Sequence, residues 1–406
     1  MARLRERPNL YLKRGRVSLT GGGTGMEQAV GSLNGPGDRY VVGLDPIRLI
    51  AAVLVMTFHL SWKVAGWSGL TSFGWVGVEV FFVISGFVIS QSVIGKTPLS
   101  FLRSRILRLY PAAWGCLLLS AGAILLFGPA SLRVGVEPSL TGWSLLGSSV
   151  LAKGPFVASA YWTLPVEISF YALVGLALTF APQLTRTGIS RGLIVWSGLY
   201  FALLAAHAAG LPGAPNLGFE SGLLNATLLR NGVFFGVGMI LAKTDKTSGA
   251  DRIWLGLGVA LGLTEIVWRA HYIAGGFAAP IQPLLLGAAA GATWLLALAA
   301  IAGAARLNRL EIDARWSRAL RFVGLITYPL YLLHETIGGG VEGWLVGHGV
   351  PYPLAFTAAV VGSALGAAVI VLVWEPRVRS LVKNAFDRIA ALTAGRRKLK
   401  LVAGTD

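Results

Sequence analysis

From residue 41 onward the chain alternates between long apolar runs and short connections rich in basic residues. Ten runs approach the roughly 20 apolar residues that a helix needs to cross the hydrocarbon of a bilayer. They lie at about 44–62, 73–94, 106–127, 161–182, 190–210, 224–242, 252–271, 279–304, 322–346 and 353–374. The pattern predicts an all-α fold: a polytopic transmembrane bundle of about ten spanning helices. The apolar stretch 140–152 (LTGWSLLGSSVLA) is too short to span and is expected to be interfacial or re-entrant.

The ends of the chain read differently. Residues 1–40 contain RGR, GGGTG and NGPGD without an apolar period, which predicts a disordered cytoplasmic tail. Met1 and Met26 both stand as candidate starts, and no cleavable signal peptide is apparent, so the first span is expected to direct insertion. After Pro376 a basic tail, 377–406, has apolar residues at helical spacing. It suits an amphipathic helix on the inner leaflet or an unstructured retention-side tail. With only some 30 residues beyond the last span, chemistry is expected within the bundle of residues 41–376.

Charge adds an orientation. Lys and Arg number seven, four, two, three, five and eight in the two tails and alternate connections, against one, two, none, one and none in the others. By the positive-inside rule both termini are cytoplasmic. The formal charge of +17 would suit nucleic acid, but the basic residues sit between apolar runs, so the expected partner is an anionic lipid bilayer and not nucleic acid. Charged residues make up 13%, about half the usual share of a soluble domain. A single cysteine, Cys116, excludes a disulfide or a cysteine metal site within one chain.

Ionisable residues at membrane depth are costly and become functional candidates. Asp45-Pro46 fits the N-cap and first position of the first helix. Arg48 and His59 are eleven residues apart and so share one face, with Ala51 and Ala52 between them leaving space for close packing or a groove. Arg48 would serve equally well by reaching lipid phosphate. Glu79 lies at nearly the depth of His59, and a carboxylate there would orient the imidazole and raise its basicity; the bland counterpart is an interhelix ion pair. Arg105 and Arg108, at i and i+3, project from one face at the cytoplasmic mouth of the third helix. Paired guanidiniums suit phosphate, though positive-inside retention also explains them. Tyr110 adds little there, and Pro111 is expected to stop the helix. Deeper in the bundle, Glu167 and Arg230 could pair with each other, and Tyr328, Tyr331 and His334 fall on one stripe of the ninth span. The last span ends in WEPRVR, with Glu375 at the interface.

Several segments in this order resemble the acyltransferase 3 family, the bacterial membrane-bound O-acyltransferases, over roughly residues 41–377. The matching residues are Leu44, Asp45, Arg48, Ala51 and His59, then FFVISGF at 81–87, then Arg105, Arg108 and Pro111. Trp162, Leu164, Glu167, Phe170 and Tyr171 follow, and Arg230, Phe235 and Gly238 after them. Gly324, Tyr328, Tyr331, Leu332 and His334 precede the closing Glu375-Pro376. Two positions depart: Glu79 stands where the family has Asp, and Thr327 where it has Ser.

The resemblance implies transfer of an acyl group, often acetyl from acetyl-CoA, to a hydroxyl of a sugar or other polyol, in a bacterial inner membrane. Acyl-CoA is then a co-substrate, with no permanently bound cofactor and no metal. His59, with Glu79, is the expected catalytic residue, and Arg48, Arg105 and Arg108 are the expected donor-binding ones. Glu167, Arg230, Tyr328, Tyr331 and His334 are the substrate-contacting or structural polar residues. A transporter or flippase for a lipid-linked saccharide or hydrophobic metabolite is the alternative, since intramembrane charges and glycine-rich helices serve it too. A non-catalytic assembly protein leaves the His, Glu and Arg set without a purpose.

Overall fold

The computed structural model describes residues 40–69, 71–127, 158–215, 217, 225–243, 248–279, 281–307 and 313–402. Residues 1–39, the segment 140–152 and the last four residues lie outside the described residues. Among the described residues all regular structure is helical. The chain runs through α1 (Leu44–Ser61), α2 (Gly77–Ser92), α3 (Pro98–Phe127), α4 (Thr163–Phe180), α5 (Thr187–Ala208) and α6 (Gly232–Leu241). It continues through α7 (Gly249–Ile273), α8 (Pro283–Leu307), α9 (Ala314–Leu333), α10 (Gly339–Gly347), α11 (Tyr352–Val369) and α12 (Glu375–Val402).

Eight of the described helical stretches are long and apolar enough to cross a membrane, the last of them running from Tyr352 to Leu392 through a π turn at Ile370–Trp374. Two expected spans take another form. The sixth is a helix of only 10 residues, α6, because the chain first turns through Leu228 at φ 61° before the helix starts. The ninth is broken: α9 carries Arg315, Arg318 and Arg321, gives way to a wide π turn over His334–Gly338, and resumes as α10. Its polar start keeps α9 outside the apolar set although it lies within the bundle.

Helix α2 is the centre of the packing. Gly86 of α2 and Gly238 of α6 face each other's backbones; a Cβ on either would run into the carbonyl of Phe235 or Val83 respectively. Small residues that let backbones approach are the usual basis of helix association where lipid removes a hydrophobic driving force. Around this crossing Phe235 stacks on Phe82 at 4.8 Å and on Phe170 at 4.3 Å between ring centroids. On the outside, Leu126, Phe180 and Leu296 stand exposed, the side chains a lipid-facing surface requires.

Two local expectations are corrected. Asp45 is not the N-cap: α1 starts at Leu44, so Asp45 is buried within the first turn, where it accepts from Tyr40 and from Arg48 at 2.8 Å. Burial foremost, and then Asp45, push the Tyr40 phenol well above its ordinary range, so it stays a proton donor. Pro111 does not stop its helix, which continues to Phe127; its carbonyl accepts from Trp374 Nε1 at 2.8 Å.

Candidate active site

Two helices bring two imidazoles together. His59, near the end of α1, lies with its Nδ1 3.1 Å from Nε2 of His334, which opens the π turn after α9. His334 is fully buried, and its Nδ1 is 2.6 Å from the carbonyl of Tyr331. A carbonyl only accepts, so that nitrogen carries the proton and Nε2 of His334 is an acceptor. His59 Nδ1 therefore faces two acceptors, His334 Nε2 and the Val55 carbonyl at 2.9 Å, and must be the protonated nitrogen. The remaining lone pair of the dyad is on His59 Nε2, where an imidazole can accept a proton. A π turn at this point fits the tendency of such bulges to occur at functional sites.

Glu335, the next residue, ties the turn to the start of α4. Its carboxylate accepts from Ser159 Oγ at 2.7 Å and from the Ala160 amide at 3.0 Å, while Tyr331 donates to the Ala160 carbonyl at 3.1 Å.

Beside the dyad is a cavity of about 130 Å³. One end carries Arg48, Arg105 and Arg108; the other carries Thr163, Glu167, Tyr328 and Tyr331. Tyr331 stands between the cavity and the imidazoles, with its ring 5.8 Å from Phe81 and 5.7 Å from His334. The Tyr328 hydroxyl has no hydrogen-bond partner among the described residues, so it is available to an occupant.

The predicted residues are thus partly assembled. Arg48, Arg105, Arg108, Glu167, Tyr328 and Tyr331 line one cavity, and His334 meets His59. Two expected arrangements differ. Glu79 does not reach His59; its carboxylate pairs with Arg269 at 2.5 Å. Arg230 pairs with Glu265 at 2.6 Å and not with Glu167, which accepts instead from Tyr171 and from Ser85 at 3.1 Å. Ala52, one of the small residues between Arg48 and His59, takes the close packing among the two expected alternatives, buried in a cluster with Met56, Leu330 and Ala359. Arg269 and Glu335 were not singled out from the sequence. For Arg269 a signal exists: it is a lone arginine near the end of a span opposite to the basic connections, where the positive-inside rule makes basic residues uncommon.

The model of the acyltransferase 3 family, described as an acyltransferase domain, matches residues 41–372. The O-acetyltransferase OatA of Staphylococcus aureus (strain NCTC 8325 / PS 47) is 28% identical over 158 residues, 35% of this chain and 25% of OatA. BcsY of Komagataeibacter xylinus, named as a membrane-bound transacylase, is 28% identical over 158 residues, 35% of this chain and 38% of BcsY. YrhL of Bacillus subtilis (strain 168), named as a peptidoglycan O-acetyltransferase, is 36% identical over 83 residues, 19% of this chain and 12% of YrhL. The matched part is at most 38% of the length of these relatives. No solved structure matches the chain.

Proposed function

The chain belongs to the acyltransferase 3 family, and from that premise we propose that it is an integral-membrane O-acyltransferase using acyl-CoA and a carbohydrate hydroxyl. The observation that carries the reading is the cavity joining three arginines to the neighbourhood of a histidine dyad whose hydrogen bonds leave one basic nitrogen free. Guanidiniums at one end suit the phosphates of a CoA ester. The cavity gives its thioester arm a route toward Tyr331 and the dyad.

In the proposed reaction His59 Nε2 takes the proton of the acceptor hydroxyl as its oxygen attacks the thioester carbonyl. The C–S bond then breaks, and the imidazolium returns the proton to the departing thiolate, giving an ester and free CoA. His334 holds His59 in the required tautomer and supports the imidazolium. Glu79 takes no direct part in orienting His59, since its partner is Arg269.

The likeness to OatA and YrhL supports acetyl as the acyl group and a glycan as the acceptor. The charge pattern supports a cytoplasmic location for Arg105, Arg108 and both termini, in a bacterial inner membrane. The first test is acetyl-CoA hydrolysis by the purified chain without acceptor. Thiol release that disappears in His59→Ala supports the reading; a wild-type chain that releases none contradicts it.

A further inference from the structure

The ion pair Glu79–Arg269 lies at the same end of the bundle as the dyad but outside the cavity. The cavity follows the face of α2 marked by Val78, Phe81, Phe82 and Ser85, whereas Glu79 is turned about 100° from Val78. Arg269 comes from α7 and lies over Trp162, which belongs to the short turn Ser159–Trp162 whose Ala160 bonds both Tyr331 and Glu335 next to the dyad. The pair therefore flanks the reacting point from a side different from that of the donor cavity.

Its construction is unusual for a purely structural bridge. The guanidinium carbon lies 4.9 Å from the ring centre of Trp75 and 5.9 Å from that of Trp162, so indoles restrain the group. Glu79 is fully buried, yet its Oε2 has no hydrogen-bond partner among the described residues, and neither do Arg269 Nε and Trp75 Nε1. A buried acceptor and two buried donors left open in one place are costly unless something satisfies them. Arg269 keeps 15% of its side chain exposed whereas Glu79 is closed off, so an occupant reaches the guanidinium and not the carboxylate.

We propose that Arg269, held by Glu79 and restrained by Trp75 and Trp162, forms the acceptor subsite and recognises a pair of neighbouring hydroxyls on a saccharide through its guanidinium. Both hydroxyl oxygens accept from the guanidinium N–H groups that face away from Glu79, while the carboxylate holds the guanidinium in place. A third hydroxyl on the same ring is then presented to His59. This assignment rests on the acyltransferase reading and adds to it a selectivity for polyols over simple alcohols.

The test uses the detergent-solubilised full chain with acetyl-CoA as donor and either methyl glucoside or 1-butanol as acceptor. Arg269→Lys and Arg269→Gln should raise the KM for methyl glucoside about tenfold or more, because a site built to hydrogen-bond hydroxyls loses its fork. The KM for acetyl-CoA should stay within about twofold, and hydrolysis without acceptor and transfer to butanol should fall by a clearly smaller factor than kcat/KM for methyl glucoside does. An unchanged glucoside KM, an equal loss on both acceptors, or wild-type transfer to butanol alone overturns the subsite. In the wild-type chain methyl glucoside should slow modification of Arg269 by phenylglyoxal, read by mass spectrometry, and butanol should not. Absence of that protection contradicts the subsite even where both variants fail to fold. A wild-type chain that neither hydrolyses acetyl-CoA nor transfers its acyl group marks instead the failure of the acyltransferase reading, and the subsite falls with it.

Discussion

A nitrogen lone pair held in one direction is what the chemistry asks of His59, and His334 supplies the restraint through a 3.1 Å contact. His59→Ala should lower turnover by about 10²–10⁴-fold, the usual worth of a general base, at unchanged expression and unchanged melting of the protein. His334→Gln should lower kcat while leaving the KM for acyl-CoA unaltered, since it changes the imidazole's tautomer and not the donor cavity. Equal kcat in wild type and His334→Gln would remove the dyad from the mechanism. Arg105→Ala and Arg108→Ala should do the reverse, raising donor KM more than they lower kcat; unaltered donor affinity in both would return these arginines to a purely topological role. His59, Arg105 and Arg108 were legible because an ionisable group in an apolar run announces itself. Their partners were not. Depth along the axis follows from spacing, but the rotation of each helix against its neighbours does not. Glu79 at the depth of His59 therefore fitted two partners, and the structure gives it Arg269.

Helices were legible from apolar length, and their irregularities were not. The short α6 and the break between α9 and α10 both fall where polar residues interrupt the apolar run, Asn225, Arg230 and Asn231 in one and His334 and Glu335 in the other, but such residues read equally well as buried polar groups of an intact span. Pro111 reads as a stop, yet α3 runs through it. The α2–α6 crossing gives a test at this scale. Gly238→Leu puts a side chain against the Val83 carbonyl, and overpacking of this kind costs about 1–3 kcal/mol or more. Gly303→Ala in α8, where a new Cβ meets nothing within 4 Å, should instead be neutral or stabilise the helix by about 0.5–1 kcal/mol. Thermal melting of the two variants in detergent compares them; equal melting temperatures would contradict the close approach of α2 and α6.

For the whole molecule, the alternation of basic connections supplies an orientation that the packing alone does not. Reporter fusions at Lys246 and Gly349 should report the cytoplasmic and the external side respectively, and the same side for both would break the proposed topology. That orientation separates the ends of the site. From Leu44 to His59 is fifteen residues, about 22 Å of helix rise, so a donor bound at the arginines has its reacting carbon most of a membrane away from its phosphates. The central claim is accordingly one of sidedness: the donor enters from the basic face and the acceptor from the opposite one. Sealed right-side-out vesicles holding the chain test it most directly, with labelled acetyl-CoA loaded inside and methyl glucoside supplied only outside. The account predicts labelled ester in the outer medium, abolished by His59→Ala. Ester formed only when donor and acceptor share one side would contradict it.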